Sequence, residues 1–282
     1  MKTLQTVEAM RVASADARRQ GKSIGFVPTM GALHEGHLSL VRAARERCDV
    51  VVASIFVNPT QFGPGEDFAG YPRTLESDSR QLAAAKVDLL FAPSTAEMYP
   101  PGATTFVDVE GLSERLDGKS RPGHFRGVTT VVNKLFHVVQ PDLAFFGQKD
   151  AAQVAVIQKM VRDLRIPVDI IVCPIVREAD GLAMSSRNAY LSAAQRGQAL
   201  VFHRALRSVL GAYEQGERSI AALRERAQGV FAQEKSVVID YIEIVDPATL
   251  EPRGTHAVGG ELVAIAAKVG ATRLIDNIVL PK

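Results

Sequence analysis

A chain of 282 residues is long enough for one large and one smaller domain, and 46% hydrophobic against 23% charged residues indicates a globular protein with a sizeable core. The 33 basic and 31 acidic residues give a net charge of +2 without any basic block, which excludes an extended nucleic-acid surface. No apolar run approaches the roughly 20 residues of a membrane span and no leader with a cleavage site follows Met1, so we expect a soluble, cytoplasmic protein.

The first elements are a helix and a strand. Apolar residues recur at helical spacing over 6–20, where two arginines and Gly21 form a stop, and an apolar run at 24–27 predicts a strand. Residues 21–23, GKS, resemble the end of a phosphate-binding P-loop. Asp16 stands where the first glycine belongs, however, and the motif precedes a strand instead of opening a helix, so we reject that reading.

The stretch 26–40, FVPTMGALHEGHLSL, reads as a strand, a tight turn and the start of a helix. A helix start presents unpaired backbone N–H groups and the positive end of the helix dipole, which suits a phosphate. Gly31 and Gly36 permit close approach, and His34 and His37 add donors. Taken alone, the pattern fits a phosphate site and two solvated histidines at a cap equally well. Zinc is disfavoured, because HEGH is one residue shorter than HExxH.

The patterns that follow alternate between strands and helices. Strands are predicted at 50–57, 87–91, 105–109, 143–146 and 168–176, and helices at 38–47, 75–86, 127–139 and from the glycine turn 147–150 to about 164. Polar loops follow the strands that end at 57 and 146, at the edge where open α/β sheets bind ligands. Residues 1–176 are therefore predicted to form a Rossmann-like, doubly wound parallel sheet.

Three further stretches have a character of their own. Residues 119–127, KSRPGHFRG, read as a flexible cationic loop, either a lid beside a phosphate site or simply solvated. Cys48 and Cys173 lie far apart in apolar runs, which fits buried thiols in a reducing compartment. Residues 177–188 form a polar loop, and helices at 193–213 and 220–233 with strands at 237–245, 262–267 and 272–279 then complete a smaller α+β domain over 177–282.

Several ordered motifs resemble the pantoate–β-alanine ligases (pantothenate synthetases), a family of the nucleotidylyltransferase superfamily. They are PTMGALHEGH (28–37), FVNPTQF (56–62), YPRT (71–74), RPGHFRGV (121–128), FGQKD (146–150) and MSSRN (184–188). The resemblance implies that ATP and pantoate form pantoyl adenylate and pyrophosphate, after which the amine of β-alanine displaces AMP to give pantothenate. It also implies magnesium with the ATP and a homodimer, with small molecules as the ligands and neither nucleic acid nor membrane as a partner.

Roles carried over from the family agree with elementary chemistry. His34 and His37 would stabilise charge on the phosphates, with His37 as the proton donor, and Lys149 supplies a mobile point charge. Gln61 and Gln153 fit pantoate, because amides donate to a carboxylate and accept from hydroxyls, and β-alanine is placed near Gln61. ATP contacts are implied at Met30, Gly31, Ala32, Leu33, His34, Glu35, Gly36, His37, Gly147, Gln148, Lys149, Asp150, Val176, Met184, Ser185, Ser186 and Arg187.

The magnesium that accompanies ATP needs an acidic ligand. Asp78, with Asp150 as the alternative, is the acid expected to hold magnesium, although Ser77 stands where the family often carries a second acid.

One rival function is that of a nucleotidylyltransferase with a phosphate acceptor, which would need extra cations where this chain has Gln61 and Gln153. The other is a regulatory nucleotide-binding module without turnover, which has little use for paired histidines and an MSSR loop.

Overall fold

The computed structural model describes all 282 residues, and its larger part is built on a six-stranded parallel sheet. The strands are β1 (Lys2–Leu4), β2 (Ile24–Thr29), β3 (Val50–Ile55), β4 (Leu89–Phe91), β5 (Leu143–Gly147) and β6 (Asp169–Cys173). They lie in the order β1-β4-β3-β2-β5-β6. The order reverses at β2, which pairs with β3 on one side and β5 on the other. A crevice at this switch point is the expected ligand site of such a sheet.

Helices cover both faces of the sheet, which explains why its strands read as nearly continuous apolar runs. The helices are α1 (Val7–Arg19), α2 (Glu35–Arg45), α3 (Leu75–Ala84), α4 (Thr95–Met98), α5 (Asp117–Ser120), α6 (His124–Val139) and α7 (Ala151–Asp163). Successive residues of β2 enter different cores: Phe26 packs on the side of α1, α6 and α7, and Val27 on the side of α2 and α3. The predicted doubly wound fold is confirmed.

The rest of the chain forms a second, antiparallel sheet with its own helices. It comprises α8 (Ala193–Ala199), α9 (Val201–Glu214), α10 (Ile220–Phe231), β7 (Val237–Val245), β8 (Leu262–Val269) and β9 (Thr272–Val279), with strand order β7-β8-β9. Ile265 and Ala267 of β8 join a core with α9 and α10, whereas Leu262 and Ala264 join the core of the larger part. The small α+β unit is confirmed, and β8 is buried on both of its faces. None of the helices has the length and apolarity that crossing a bilayer requires.

Two predictions were wrong in the segment before α6. Residues 105–109 form no strand: the Val107 N–H donates to Thr130 Oγ1 (2.9 Å), and the Val107 carbonyl accepts from Thr129 Oγ1 (2.6 Å). Helix side chains thus satisfy backbone groups that a sheet would have paired. The supposed flexible loop 119–127 is largely helical, because α5 ends at Ser120 and α6 already begins at His124.

Smaller differences concern the ends of elements. The predicted helix 193–213 is divided at Leu200 into α8 and α9, and the predicted strands 50–57 and 168–176 stop at Ile55 and Cys173. Strand β1 and helix α4 were missed, because elements of three and four residues have no recognisable period. Cys48 and Cys173 are buried free thiols, as predicted.

Candidate active site

A cavity of about 230 Å³ opens at the carboxyl edge of the parallel sheet, beside the switch point at β2. Residues from all six motifs border it, so the fold brings together segments that lie far apart in the sequence. Of the predicted site residues, those bordering the cavity are Met30, His34, Gly36, His37, Gln61, Gly147, Lys149, Asp150, Gln153, Val176, Met184, Ser185, Ser186 and Arg187.

Five predicted ATP-contact residues do not border the cavity: Gly31, Ala32, Leu33, Glu35 and Gln148. Leu33 is packed in the core, and Glu35 pairs with Arg42 on the outer side of α2. The side-chain amide of Gln148 is bonded to Asn277. These five lie in the two turns that precede α2 and α7, and their contact with ATP stays a prediction.

The two histidines cap the first turn of α2. His34 Nδ1 accepts from the Gly36 N–H (3.1 Å), and His37 Nδ1 accepts from the His34 N–H (3.3 Å). The rings lie 4.1 Å apart between centroids. A Cβ on Gly36 would lie 2.8 Å from His34 Cε1, so only glycine leaves room for this ring. Since Nδ1 of each ring accepts a backbone hydrogen bond, each neutral ring carries its proton on Nε2.

Both imidazoles are held neutral. Burial, with help from the neighbouring His34 and Lys149, lowers the pKa of His37 to about 3. Burial and then Lys149 lower the pKa of His34 as well. Desolvation disfavours a charged imidazole, and a cation placed beside it adds to that effect. The pair therefore offers neutral Nε2–H donors to the cavity at neutral pH.

The turn that precedes α2 is shaped by a buried carboxylate. Asp78, on α3, is 1% exposed and accepts hydrogen bonds from the N–H groups of Ala32 (3.0 Å) and Leu33 (2.9 Å) and from Thr74 Oγ1 (3.1 Å). Ala32 has φ +51°, a left-handed conformation that such bonds hold in place. Asp78 does not border the cavity. Its oxygens are directed to backbone donors of the turn, which is the position of a structural carboxylate.

Lys149 and Asp150 lie on a 3₁₀ turn, Gln148–Asp150, between β5 and α7. Lys149 Nζ is 3.5 Å from Asp150 Oδ1, and the lysine side chain is 20% exposed. The turn sits at the start of a helix, as the turn before α2 does. The site therefore has two helix N-termini facing one cavity, which favours a multiply charged anion.

The MSSRN motif reaches the cavity from the loop after β6. Ser185 Oγ accepts from the Arg187 N–H (3.3 Å), and Ser186 Oγ lies 3.2 Å from the hydroxyl of Tyr71. The Arg187 guanidinium donates to both carboxylate oxygens of Asp67 (3.1 and 3.2 Å). This ion pair joins the motif to the loop that carries Tyr71, and neither Asp67 nor its role was singled out in the sequence.

Gln61 also borders the cavity, and neighbouring side chains hold both its side-chain amide and its carbonyl group. Asn58 Nδ2 donates to Gln61 Oε1 (3.0 Å), and His124 Nδ1 is 2.8 Å from the Gln61 carbonyl oxygen. Burial and Arg121 lower the pKa of His124 to about 4, so this ring is also neutral. Helix α6 passes so close that a Cβ on Gly127 would collide with the Thr60 carbonyl oxygen. Asn58 thus holds the side-chain amide of Gln61, and His124 and helix α6 hold its backbone.

The RPGHFRG segment thus contributes structure beside the cavity. Arg121 donates two hydrogen bonds to Glu66, and Arg121 and His124 both border the cavity, whereas Arg126 is exposed and stacks on Phe106. Sequence reasoning missed an apolar wall formed by Val128, Val131, Val132 and Leu135 of α6 with Phe145 and Phe146. The helical spacing of apolar residues in α6 was recognised, but apolar residues that line a cavity have the same spacing as those that pack in a core.

The chain is similar to known proteins over nearly its whole length. The family model for pantoate-beta-alanine ligase matches residues 2–279. Pantothenate synthetase of Koribacter versatilis is 59% identical over 280 residues, covering 99% of this chain and 96% of the relative. The crystal structure of pantothenate synthetase from Thermus thermophilus has a TM-score of 0.95 at 47% identity, with 100% of both chains covered.

A second solved relative carries ligands. Pantoate-beta-alanine ligase from Francisella tularensis, crystallised with beta-gamma ATP and beta-alanine, has a TM-score of 0.82 at 35% identity, covering 99% of this chain and 97% of that one. Both structural matches extend over the two sheets described above.

The lowered pKa of His37 predicts a pH-dependent stability. In an unfolded chain a histidine titrates near 6.5, so between pH 6.5 and about 3 the unfolded state binds the additional proton. The free energy of unfolding therefore falls as the pH is lowered through this window, by up to about 1.4 kcal/mol per pH unit for each such group.

His37→Asn keeps an acceptor for the His34 N–H and removes the titration, so its unfolding free energy should depend less steeply on pH. Urea denaturation between pH 4 and 7 measures this slope. The exposed His137→Asn on α6 is the control. Identical slopes for His37→Asn and the parent would show that His37 titrates normally in the folded protein.

Proposed function

Because the chain belongs to the pantoate-beta-alanine ligase family and is an ATP-dependent enzyme that condenses pantoate with β-alanine, we propose that it works through a pantoyl adenylate held in the cavity at the sheet edge. The carrying observation is the convergence on one cavity of two neutral imidazole donors, Lys149 and the MSSRN loop, with two glutamines, Gln61 and Gln153, bordering the same space. This arrangement suits a triphosphate lying beside a hydroxylated carboxylate.

The first step joins pantoate to the nucleotide. A pantoate carboxylate oxygen attacks the α-phosphorus of ATP, the bond to the β-phosphate oxygen breaks, and pyrophosphate leaves. Charge builds on the phosphoryl oxygens, so positioning and electrostatic stabilisation carry the catalysis. In the second step the amine of β-alanine attacks the acyl carbon, AMP leaves with the electron pair of the acyl–oxygen bond, and the nitrogen loses a proton as the amide forms.

His34 and His37 are assigned to the phosphates. Their Nε2–H groups are preorganised by the Nδ1 bonds to the α2 backbone, and as neutral groups they need no counter-ion. We assign the proton-donor role to His37: it donates its Nε2 hydrogen bond to the departing pyrophosphate. The triphosphate charge also favours a protonated imidazole, so substrate binding would oppose the lowering of the pKa that burial imposes.

Lys149, Ser185, Ser186 and Arg187 form the second group of phosphate ligands in this proposal. Lys149 reaches the phosphates as a point charge from its 3₁₀ turn. Arg187 would exchange Asp67 for the leaving phosphates, because its planar fork fits a phosphate as well as a carboxylate. The loop over residues 177–188 then closes over ATP.

Pantoate is assigned to the side of the two glutamines. Gln61 and Gln153 can each donate to the carboxylate and accept from its hydroxyls. The apolar wall that begins with Val128 and Val131 suits the two geminal methyl groups of pantoate, which bind favourably against aliphatic side chains. We place β-alanine near Gln61, from where its amine can reach the acyl carbon of the adenylate.

Magnesium fits the site as a companion of ATP and not as a resident ion. No group of three or more His, Cys, Asp or Glu side chains could hold a metal ion by itself. Mg²⁺ commonly binds through one or two carboxylates plus substrate phosphates and retains water. Asp150 borders the cavity, whereas the oxygens of Asp78 are used by the α2 turn, so we propose Asp150 as the ligand. When bound, the ion neutralises phosphate charge.

The domain organisation, the oligomeric state and the compartment are also proposals. We propose a domain boundary near residue 176, with residues 1–176 binding nucleotide and pantoate and residues 177–282 carrying MSSRN over the site. We also propose a homodimer, as the resemblance to the family implies. The two free buried thiols support a reducing compartment such as the cytoplasm.

The adenylate is tested by exchange of labelled pyrophosphate into ATP. Exchange should require pantoate and proceed without β-alanine, because the first step is complete and reversible at that stage. The same assay with a phosphate monoester in place of pantoate is the control for a different acceptor. Absence of pantoate-dependent exchange in folded protein would overturn the adenylate route.

Loss of one phosphate-stabilising group should slow adenylate formation strongly. Lys149→Ala and His37→Ala are each expected to lower the exchange rate by on the order of 10²-fold, the scale for one preorganised donor. Lys159→Ala on α7 is the matched control, since Lys159 is only half-buried, pairs with Asp163 and does not border the cavity. A near-normal rate in either site variant would show that its role is misassigned.

Gln153 should affect one substrate more than the other. Gln153→Ala is expected to raise the KM for pantoate at least tenfold, as expected when about 1.4 kcal/mol or more of hydrogen bonding is lost, with little change for ATP. Gln158→Ala is the control, because Gln158 lies five residues further along α7 and does not border the cavity. Equal weakening of pantoate and ATP would contradict the assignment.

A further inference from the structure

The 3₁₀ turn that carries Lys149 and Asp150 is not held by its own neighbours. Gly147 and Asp150, which stand at the starts of the turn and of α7, make no side-chain cap. The backbone is held instead from β9 of the second sheet. Asn277 Nδ2 donates to the carbonyl oxygens of Gln148 (3.0 Å) and Lys149 (2.9 Å), and Asn277 Oδ1 accepts from Gln148 Nε2 (3.1 Å).

Asn277 is 3% exposed, so water does not compete for these bonds. Both amide hydrogens and the amide oxygen are used, which fixes the side chain against rotation. The same amide holds the carbonyl groups of two consecutive residues, Gln148 and Lys149. This fixes the orientation of the backbone between them and therefore the direction of the Lys149 side chain. The position of Lys149 therefore depends on a residue 128 positions away in the chain.

The residue before Asn277 holds the other phosphate-binding segment. Asp276, also 3% exposed, forms a two-point ion pair with Arg177 (2.6 and 2.9 Å). Arg177 opens the MSSRN loop and also donates to the Gly181 carbonyl (3.1 Å). The loop closes on itself through the bridge between Arg177 and Ala183, directly before Met184.

Strand geometry explains how two adjacent residues serve two loops. Successive side chains of a strand point to opposite faces. Leu274 and Ile278 pack on the face that bears α9 and α10, so Asp276 shares that face. Asn277 lies on the other face, towards the larger part of the molecule. One peptide unit of β9 thus sets the spacing between Lys149 and the MSSRN loop.

We propose that the Asp276–Asn277 pair of β9 positions the two phosphate-binding segments relative to each other, and that Asn277 acts on catalysis through Lys149. Neither residue borders the main cavity, so both are positioning residues. The inference rests on the proposed role of Lys149. It assigns the smaller domain a function beyond carrying MSSRN, because its sheet fixes the geometry of the phosphate site.

A double-mutant cycle tests this dependence. Asn277→Ala should lower the pantoate-dependent exchange rate at saturating ATP by about 10-fold to 100-fold, the scale of a displacement of about 1 Å at a reacting centre. In a Lys149→Ala background the same change should cost less than about threefold, because the group it positions is already gone. A residue that only stabilises the fold would give the same factor in both backgrounds.

Gln148→Ala gives a second double-mutant cycle with Lys149→Ala, and it removes only the hydrogen bond to Asn277 Oδ1. We expect a smaller loss of exchange rate with the same non-additivity. This cycle tests the proposal even if Asn277→Ala folds poorly. Arg115→Ala is the control, because Arg115 also joins the two parts of the molecule, through Glu251 and the Thr249 carbonyl, but far from the turn.

The outcomes separate the two claims. If Lys149→Ala leaves exchange unchanged, the proposed role of Lys149 fails. If Lys149→Ala slows exchange but Asn277→Ala and Gln148→Ala do not, or do so by equal factors in both backgrounds, the positioning role fails while the proposed function stands. A loss in Arg115→Ala equal to that in Asn277→Ala would also overturn it.

Discussion

The first turn of α2 imposes the constraint on which the site depends. Its leading N–H groups have no partners within the helix and must find acceptors. The chain uses histidine Nδ1 atoms where serine or aspartate oxygens are usual, and this choice fixes both imidazole tautomers and directs polar hydrogen away from the backbone. The same hydrogen bonds therefore cap the start of α2 and orient the Nε2–H donors of His34 and His37.

Asp78 meets the same need for hydrogen-bond acceptors in the turn before α2. Ala32 and Leu33 lie in the turn between β2 and α2, where no sheet or helix partner is available to their N–H groups. A buried carboxylate from α3 accepts both, and it holds Ala32 at a positive φ. The oxygens of Asp78, the acid expected to hold magnesium, are thus used by the turn, and Asp78 does not border the cavity.

The fold and the site were predictable to different depths. The long strands could be predicted because helices cover both faces of the sheet and the strands are therefore apolar throughout. The turn before α2 alone fitted a phosphate site and a solvated helix cap equally well, and only the six ordered motifs together favoured the phosphate site. The error at 105–109 arose because Thr129 and Thr130, distant in sequence, satisfy that backbone. The role of Asn277 was equally invisible, since no local pattern shows which turn a strand residue will reach.

In the proposed phosphate site, the cations are paired with carboxylates whereas the histidines are neutral. Arg187 is paired with Asp67 and Lys149 lies beside Asp150, so each cation must give up or share a carboxylate when it meets a phosphate. The histidines have no such competitor, because burial keeps them neutral and their Nδ1 atoms are already satisfied. A buried charge without a partner would be costly, whereas a neutral donor is not. The helix cap thus provides donors that need no rearrangement, and the paired cations provide the charge that follows when the triphosphate displaces their carboxylates.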